Sequence, residues 1–143
     1  MGPAYAMISA MPRSHINPPE LFDSLQYGFS QAVVTDGQRR IDVSGQVGWD
    51  SDENLVGTDL ATQVNKAADS LRIVLEAAGA SLADVTALRI YVVEAAAADL
   101  SPITAMLQRH FPREAPPATT WLVISRLADE GLLVELEATA VVD

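Results

Sequence analysis

Glu135 is the side chain best suited to acid–base work. It stands mid-run in LLVELEATAVV, between Val134 and Leu136. A carboxylate in an apolar strand or a dry cleft loses hydration, and its pKa rises unless a donor partners it. That condition makes it a candidate to carry chemistry. The plain alternative is a solvated strand residue, or one paired with a cation such as Arg126. Ser44-Gly45, in IDVSGQVGWD, sets a hydroxyl beside a residue without a Cβ, where a strand ends and another group can approach the backbone closely. Its plain alternative is a strand-terminating turn. Thr119 and Thr120, in PPATTWLV, put two hydroxyls at the start of a strand, although β-propensity alone also explains them.

Other chemistries lack their residues. There is no cysteine, hence no thiol nucleophile, no disulfide and no Cys-ligated metal. His15 and His110 show no metal-ligand spacing with each other or with a carboxylate, and His110 falls at a helix end where imidazoles meet free carbonyls. GQVGWD has two glycines but no following Lys-Ser/Thr, so it is no phosphate loop. No Gly-x-Ser-x-Gly elbow occurs. The expectation is a site with no metal and no cofactor.

Several elements must position these residues. YGFSQAVVTDGQRRIDVSGQV reads as two strands around Asp36-Gly37, a pair suited to a type I′ turn with positive φ at both central residues. Leu60, Val64, Ala67, Ala68, Leu71, Val74, Leu75 and Ala78 recur at helical spacing. Thr58 or Asp59 suits the N-cap and Gly79 the left-handed position after the last turn. DVTALRIYVVE (84–94) reads as a central strand. A second helix is predicted from Ser101, as N-cap, through Pro102 to His110, with Pro112 ending it. ATTWLVISRL and LLVELEATAVV then read as strands with ADEG (128–131) as their turn. The order is β-β-α-β-α-β-β, and residues 1–20 are irregular or add a strand.

The 143 residues fit one domain with one core. Helices between parallel strands of one sheet cross over with one hand, so both pack on the same face. Leu132, Val134, Leu136, Ala138, Ala140 and Val142 point to that face, while Leu133, Glu135, Glu137, Thr139 and Val141 point away. Trp121 and Val123 alternate likewise with Leu122 and Ile124. A sheet this apolar on both sides is expected to bury its bare face against other copies of the chain, the plain alternative being a solvated antiparallel face with a few stray apolar residues. The net charge of -10, with only Arg39 and Arg40 adjacent among the cations, argues against a nucleic-acid partner. No apolar run reaches the ~18 residues of a membrane span. No basic segment precedes an apolar one near the start, so no secretory signal is read and a cytoplasmic location is expected.

Taken in order, GFSQAVV, VSGQVGWD, LVGTDLATQVNKAADSLRIVLEAAGASLADVTALRIYVVE, HFP…PPATT and LLVELEATAVV resemble the RidA family, the YjgF-type reactive imine/enamine deaminases. The likeness covers about residues 27–142. It implies an α+β, chorismate-mutase-like fold, one mixed β-sheet with two helices packed on one face. It also implies a homotrimer with an inner β-barrel and small-molecule clefts between subunits. Ser44 and Gly45 would line the cleft, with Trp49 near its edge. The glutamate that places the attacking water in active members is matched by Glu135. The arginine that grips the carboxylate of a 2-imino acid is matched by Thr119, which carries no charge. Trp121 stands where the family often has a small residue. Phe29 matches the cleft tyrosine without its hydroxyl, and Thr104 matches the asparagine of the second helix. The resemblance therefore implies a divergent member that is not a standard 2-imino acid deaminase. In an enzyme, Glu135 would position water, groups near Gly45 and Thr119 or Thr120 would hold the substrate, and Phe29 and Trp121 would form walls. The alternatives are a non-catalytic trimer that binds a small molecule or a protein, and an endoribonuclease, which the charge argues against.

Overall fold

The computed structural model describes residues 13–27, 29–37 and 39–143. Six strands, β1 (Arg13–Ile16), β2 (Ala32–Thr35), β3 (Arg39–Gln46), β4 (Val85–Val93), β5 (Ala118–Ile124) and β6 (Val134–Val142), form one sheet in the order β1-β2-β3-β6-β4-β5. Helix α1 (Leu60–Ala77) joins β3 to β4, and α2 (Ser101–His110) joins β4 to β5. β4 and β5 run parallel, and the other four neighbouring pairs run antiparallel. Since β6 opposes both β3 and β4, those two also run parallel, so each helix links parallel strands. This is the α+β arrangement expected from the sequence. β1 supplies the added strand within residues 1–20, and residues 1–12 lie outside the described residues.

Period-two alternation fixes the buried side of each strand. In β6, Val134, Leu136, Ala138 and Ala140 are buried, while Glu135, Glu137, Thr139 and Val141 stay partly exposed. Leu88 and Ile90 pair with Ala138 and Leu136, and Ile41 pairs with Ala140, so the buried rows coincide. Leu71, Leu75 and Val64 of α1 and Ile103 and Met106 of α2 close this core from one side. Full burial of one such side chain stabilises by about 1.5–3 kcal/mol. A smaller cluster of Val47, Val93, Leu127 and Leu132 lies apart from it. Leu132 thus precedes β6 and joins that cluster instead of the helix-covered row.

Helix α1 begins where the Asp59 side chain accepts the Thr62 N–H at 2.9 Å, and it ends before Gly79, whose φ is +82. Three local expectations shift. Ser101 is the first helical residue and Leu100 the cap, because Asp99 Oδ1 takes the Ser101 N–H at 3.0 Å. At Asp36-Gly37 only the glycine has positive φ (+122), and Thr35 pairs with Arg40, so the connection is longer than a two-residue turn. β5 and β6 are not a hairpin around ADEG. β4 lies between them, and residues 125–133 make the passage.

Candidate functional site

The site starts with a register fault. Val43 pairs with Ala138 and Gln46 with Leu136, so Ser44 and Gly45 together oppose Glu137. Ser44-Gly45 is therefore a bulge inside β3, where the sequence suggested a strand end. Buried amides hold it. Ser44 N–H donates to the Gln31 carbonyl at 2.9 Å, and Gln46 Nε2 donates to Gln31 Oε1 at 2.7 Å and to the Ser44 carbonyl at 3.1 Å. Ser44 Oγ donates to the Ser30 carbonyl at 2.7 Å, so its proton is committed to the backbone.

The bulge turns Gly45 toward Glu135. A Cβ on Gly45 would lie 2.5 Å from Glu135 Cδ, so only glycine leaves room for that carboxylate. Glu135 accepts no hydrogen bond among the described residues. Arg126, a conceivable partner, donates instead to the carbonyls of Leu127 and Ala128. Burial, and then the charge of Glu137, push the Glu135 carboxyl above the usual carboxylate range.

A cleft of about 410 Å³ opens over this pair. Gly45, Val47 and Leu132 form its base beside Glu135, and Glu53, Ala128 and Asp129 stand around it. Phe22, Phe29 and Trp49 form an aromatic wall. Phe22 meets Phe29 edge-on at 6.2 Å between centroids and Trp49 at 5.4 Å. The polar stretch after Gly48 places Trp49 and Glu53. Asp50 Oδ1 accepts the N–H groups of Asp52 and Asn54, both at 2.9 Å, and Trp49 bridges Leu55. The Asn54 N–H, foremost among several hydrogen bonds, holds the Asp50 carboxyl below its usual value. Gln63, fully buried in α1, ties this loop to residues 131–133. Its Nε2 donates to the carbonyls of Gly57 and Gly131 at 3.0 and 2.8 Å, and its Oε1 accepts the Leu133 N–H at 2.8 Å.

One chain thus brings together Glu135, Gly45 and Phe29, with Ser44 adjoining and Trp49 in the wall. The other candidates stand elsewhere on it. Thr104 is exposed on α2, on the helix-covered side of the sheet. Thr119 and Trp121 pair with Leu88 and Ile90 and so face the helices, and Thr119 Oγ1 donates to the Pro117 carbonyl at 3.1 Å. Thr120, paired with Arg89, shares the face of Glu135 but lies two strands across and two residues along the register, beyond about 10 Å at ordinary strand spacing. A site shared by all of them needs an adjoining copy.

Sequence reading missed the neighbours of Glu135 on the open face. Tyr91 pairs with Glu135 across the ladder, and its hydroxyl donates a short hydrogen bond to Glu137. Arg89 Nε lies 3.0 Å from Glu137 Oε1, and its Nη2 donates to Thr139 Oγ1 at 3.4 Å. The bond to Glu137 raises the Tyr91 pKa. Their alternation with Leu88 and Ile90 carried the signal. Phe22 had none, because a loop delivers it. The histidines stand apart: His15 Nδ1 lies 3.1 Å from Ser30 Oγ, and His110 Nε2 lies 3.0 Å from Asn65 Oδ1 of α1, in place of the helix carbonyls expected. Among the described residues no group of three or more His, Cys, Asp or Glu is placed to hold a metal, and no helix is long and apolar enough to cross a membrane.

The Endoribonuclease L-PSP family matches residues 24–142. The chain belongs to this family. Among solved structures, it is 38% identical to YyfB, a protein of unknown function of the conserved Rid family from Yersinia pestis, with TM-score 0.69, covering 92% of this chain and 100% of that one. A member of the YjgF/YER057c/UK114 family from Mycobacterium tuberculosis is 31% identical, with TM-score 0.72 and the same coverage. YyfA from Yersinia pestis, 24% identical with TM-score 0.81, covers 92% of this chain and 100% of its own and shows the shared fold. The RidA resemblance read from the sequence is thus family membership, and a small-molecule-processing or small-molecule-binding role follows in general terms.

Proposed function

We propose that this family member works as a homotrimer with small-molecule clefts between subunits, and that it hydrolyses an imine, an enamine or a related small carbonyl compound without a free carboxylate. One observation carries the reading: a carboxylate with a raised pKa, and with no hydrogen-bond partner among the described residues, lies against a glycine bulge in the lining of an aromatic cleft. Glu135 takes a proton from water as the water oxygen bonds to the imine carbon. It returns that proton to nitrogen; the hydroxyl proton of the resulting carbinolamine then passes to nitrogen as the C–N bond breaks, and a carbonyl compound and an amine leave.

Assembly draws support from the open sheet face and from edge strand β5, where Leu122 is 47% and Val123 52% exposed. An adjoining copy would bring Thr104, Thr119, Thr120 and Trp121 toward the cleft as neutral walls. With Thr119 in place of a guanidinium, a substrate carboxylate forfeits a charged hydrogen bond of about 1.5–3 kcal/mol. Freshly generated 2-iminopropanoate should therefore turn over poorly, and Thr119→Arg should raise the rate about tenfold or more. Turnover by the unaltered chain equal to that of arginine-bearing relatives overturns the reading of Thr119. Light scattering that returns the monomer mass of 15.3 kDa overturns the trimer.

A second reading, a non-catalytic binding trimer, is favoured by the committed hydroxyl protons of Ser44 and Thr119, which leave neither of these two side chains activated as a nucleophile. Absence of turnover on a panel of imines, with ligand still bound, selects it. RNA cleavage is disfavoured by the net charge of -10 and by the acidic cleft.

A further inference from the structure

The cleft beside Glu135 carries charge of one sign. Glu53, Asp129 and Glu135 line it, and no Lys, Arg or His does so among the described residues. Arg89, on the same sheet face, is turned to Glu137 and Thr139. Glu53 Oε2 accepts from Gln26 Nε2 at 3.4 Å, while Asp129 and Glu135 by themselves already set the sign of the cleft. The same cleft is lined by three rings, with Phe22 in edge contact with both Trp49 and Phe29, and Phe29 is 39% exposed. Ring faces are negative and attract cations, indole most strongly. Among the described residues, an anion entering here meets carboxylates and no cation. A neutral apolar ligand uses the rings but strands the acids.

We infer that the ligand of this cleft is a small organic cation: an alkyl- or arylammonium, or a substrate whose imine nitrogen is protonated. The inference rests on the reading of this cleft as the ligand site and names its substrate class. For a protonated imine the step balances: one iminium ion and one water give one carbonyl compound and one ammonium ion. The water oxygen bonds to carbon, the C–N electron pair leaves with nitrogen, and both water protons end on nitrogen by way of Glu135. The carboxylates hold the positive charge of the reactant, and the rings exclude bulk water from it. Thr119, Thr120 and Trp121, the residues proposed to join from an adjoining copy, carry no charge.

The test is calorimetric titration of the assembled full chain with choline, with its neutral carbon isostere 3,3-dimethylbutan-1-ol, and with 2-oxobutanoate. Choline should bind about tenfold or more tightly than the isostere, more tightly than 2-oxobutanoate, and more weakly as salt rises. Trp49→Leu and, separately, Asp129→Asn should each weaken choline severalfold, with unchanged circular dichroism. Equal affinity for the isostere, or preference for the anion, overturns the inference. An imine-panel assay on the same protein separates the two readings. Turnover of a neutral imine without choline binding overturns the cation and leaves the hydrolase. Choline binding without turnover supports the cation and removes the hydrolase.

Discussion

Glu135 and Glu137 stand two residues apart on β6 and emerge from the same sheet face. Glu137 takes a hydrogen bond from Tyr91 and an ion pair from Arg89, whereas Glu135 takes neither and faces a glycine bulge. The strand gives both side chains the same direction, and the neighbouring strand decides what each can do. Residues 89 and 91 of β4 supply donors to the inner acid and none to the outer one. The outer acid keeps its lone pairs for something else, while the charge of the inner acid helps to hold the outer one above its usual pKa.

The hardest blow to this contrast is isosteric. Glu135→Gln should lower turnover about 100- to 10,000-fold, the span of general acid–base catalysis, with the fold intact. Glu137→Gln should cost far less, and equal losses in steady-state assays break the distinction. Next in size is Gly45→Ala. The new methyl meets the flexible end of Glu135, so the carboxylate must swing away while the backbone stays. A displacement of about 1 Å is worth roughly 100-fold in rate. Melting within a few degrees of the parent is expected, and unaltered kinetics would refute the close approach.

Smaller effects concern pH. Arg89→Met leaves the Glu137 charge uncompensated beside Glu135, so the Glu135 pKa should climb further and the acid limb of the rate profile should move to higher pH. The stability cost of this half-exposed pair is about 1 kcal/mol or less. An unmoved limb means that Arg89 does not reach Glu135 electrostatically. Smallest is the stability profile of the unaltered chain. The pKa of Glu135 is higher folded than unfolded, so the folded state holds this proton to higher pH. The resulting stability is fully present below the ordinary glutamate value and is lost as pH rises through the raised one. Denaturation midpoints of Glu135→Gln should lack that decline. A parallel decline in the variant would assign it to other groups.

Much of this was legible in the chain. The alternation from Val134 to Ala140 gave the two faces of β6 and put Glu135 on the open one, because side-chain direction depends on local backbone period alone. The helical spacing from Leu60 and the caps at Asp59 and Gly79 gave α1 for the same reason. The bulge at Ser44-Gly45 was not legible, since it exists only relative to the register of β6. Gln31, Gln46 and Gln63 also escaped notice. Glutamine is ordinarily exposed, and their burial depends on partners far along the chain. Phe29 and Trp49 were expected at the cleft, whereas Phe22 and Asp129 arrive there through tertiary packing of loops.

Among the described residues, β6 is last of the six strands in chain order, yet it lies between β3 and β4 and alone joins β1-β2-β3 to β4-β5. Without β6 the two sub-sheets are unstitched, and the apolar sides of α1 and α2 lack their central floor. The keystone that closes the sheet is also the strand that carries the acid. A chain in which β6 has not yet docked therefore lacks Glu135 at the proposed cleft, and its two sub-sheets hold apolar surface open to misassociation.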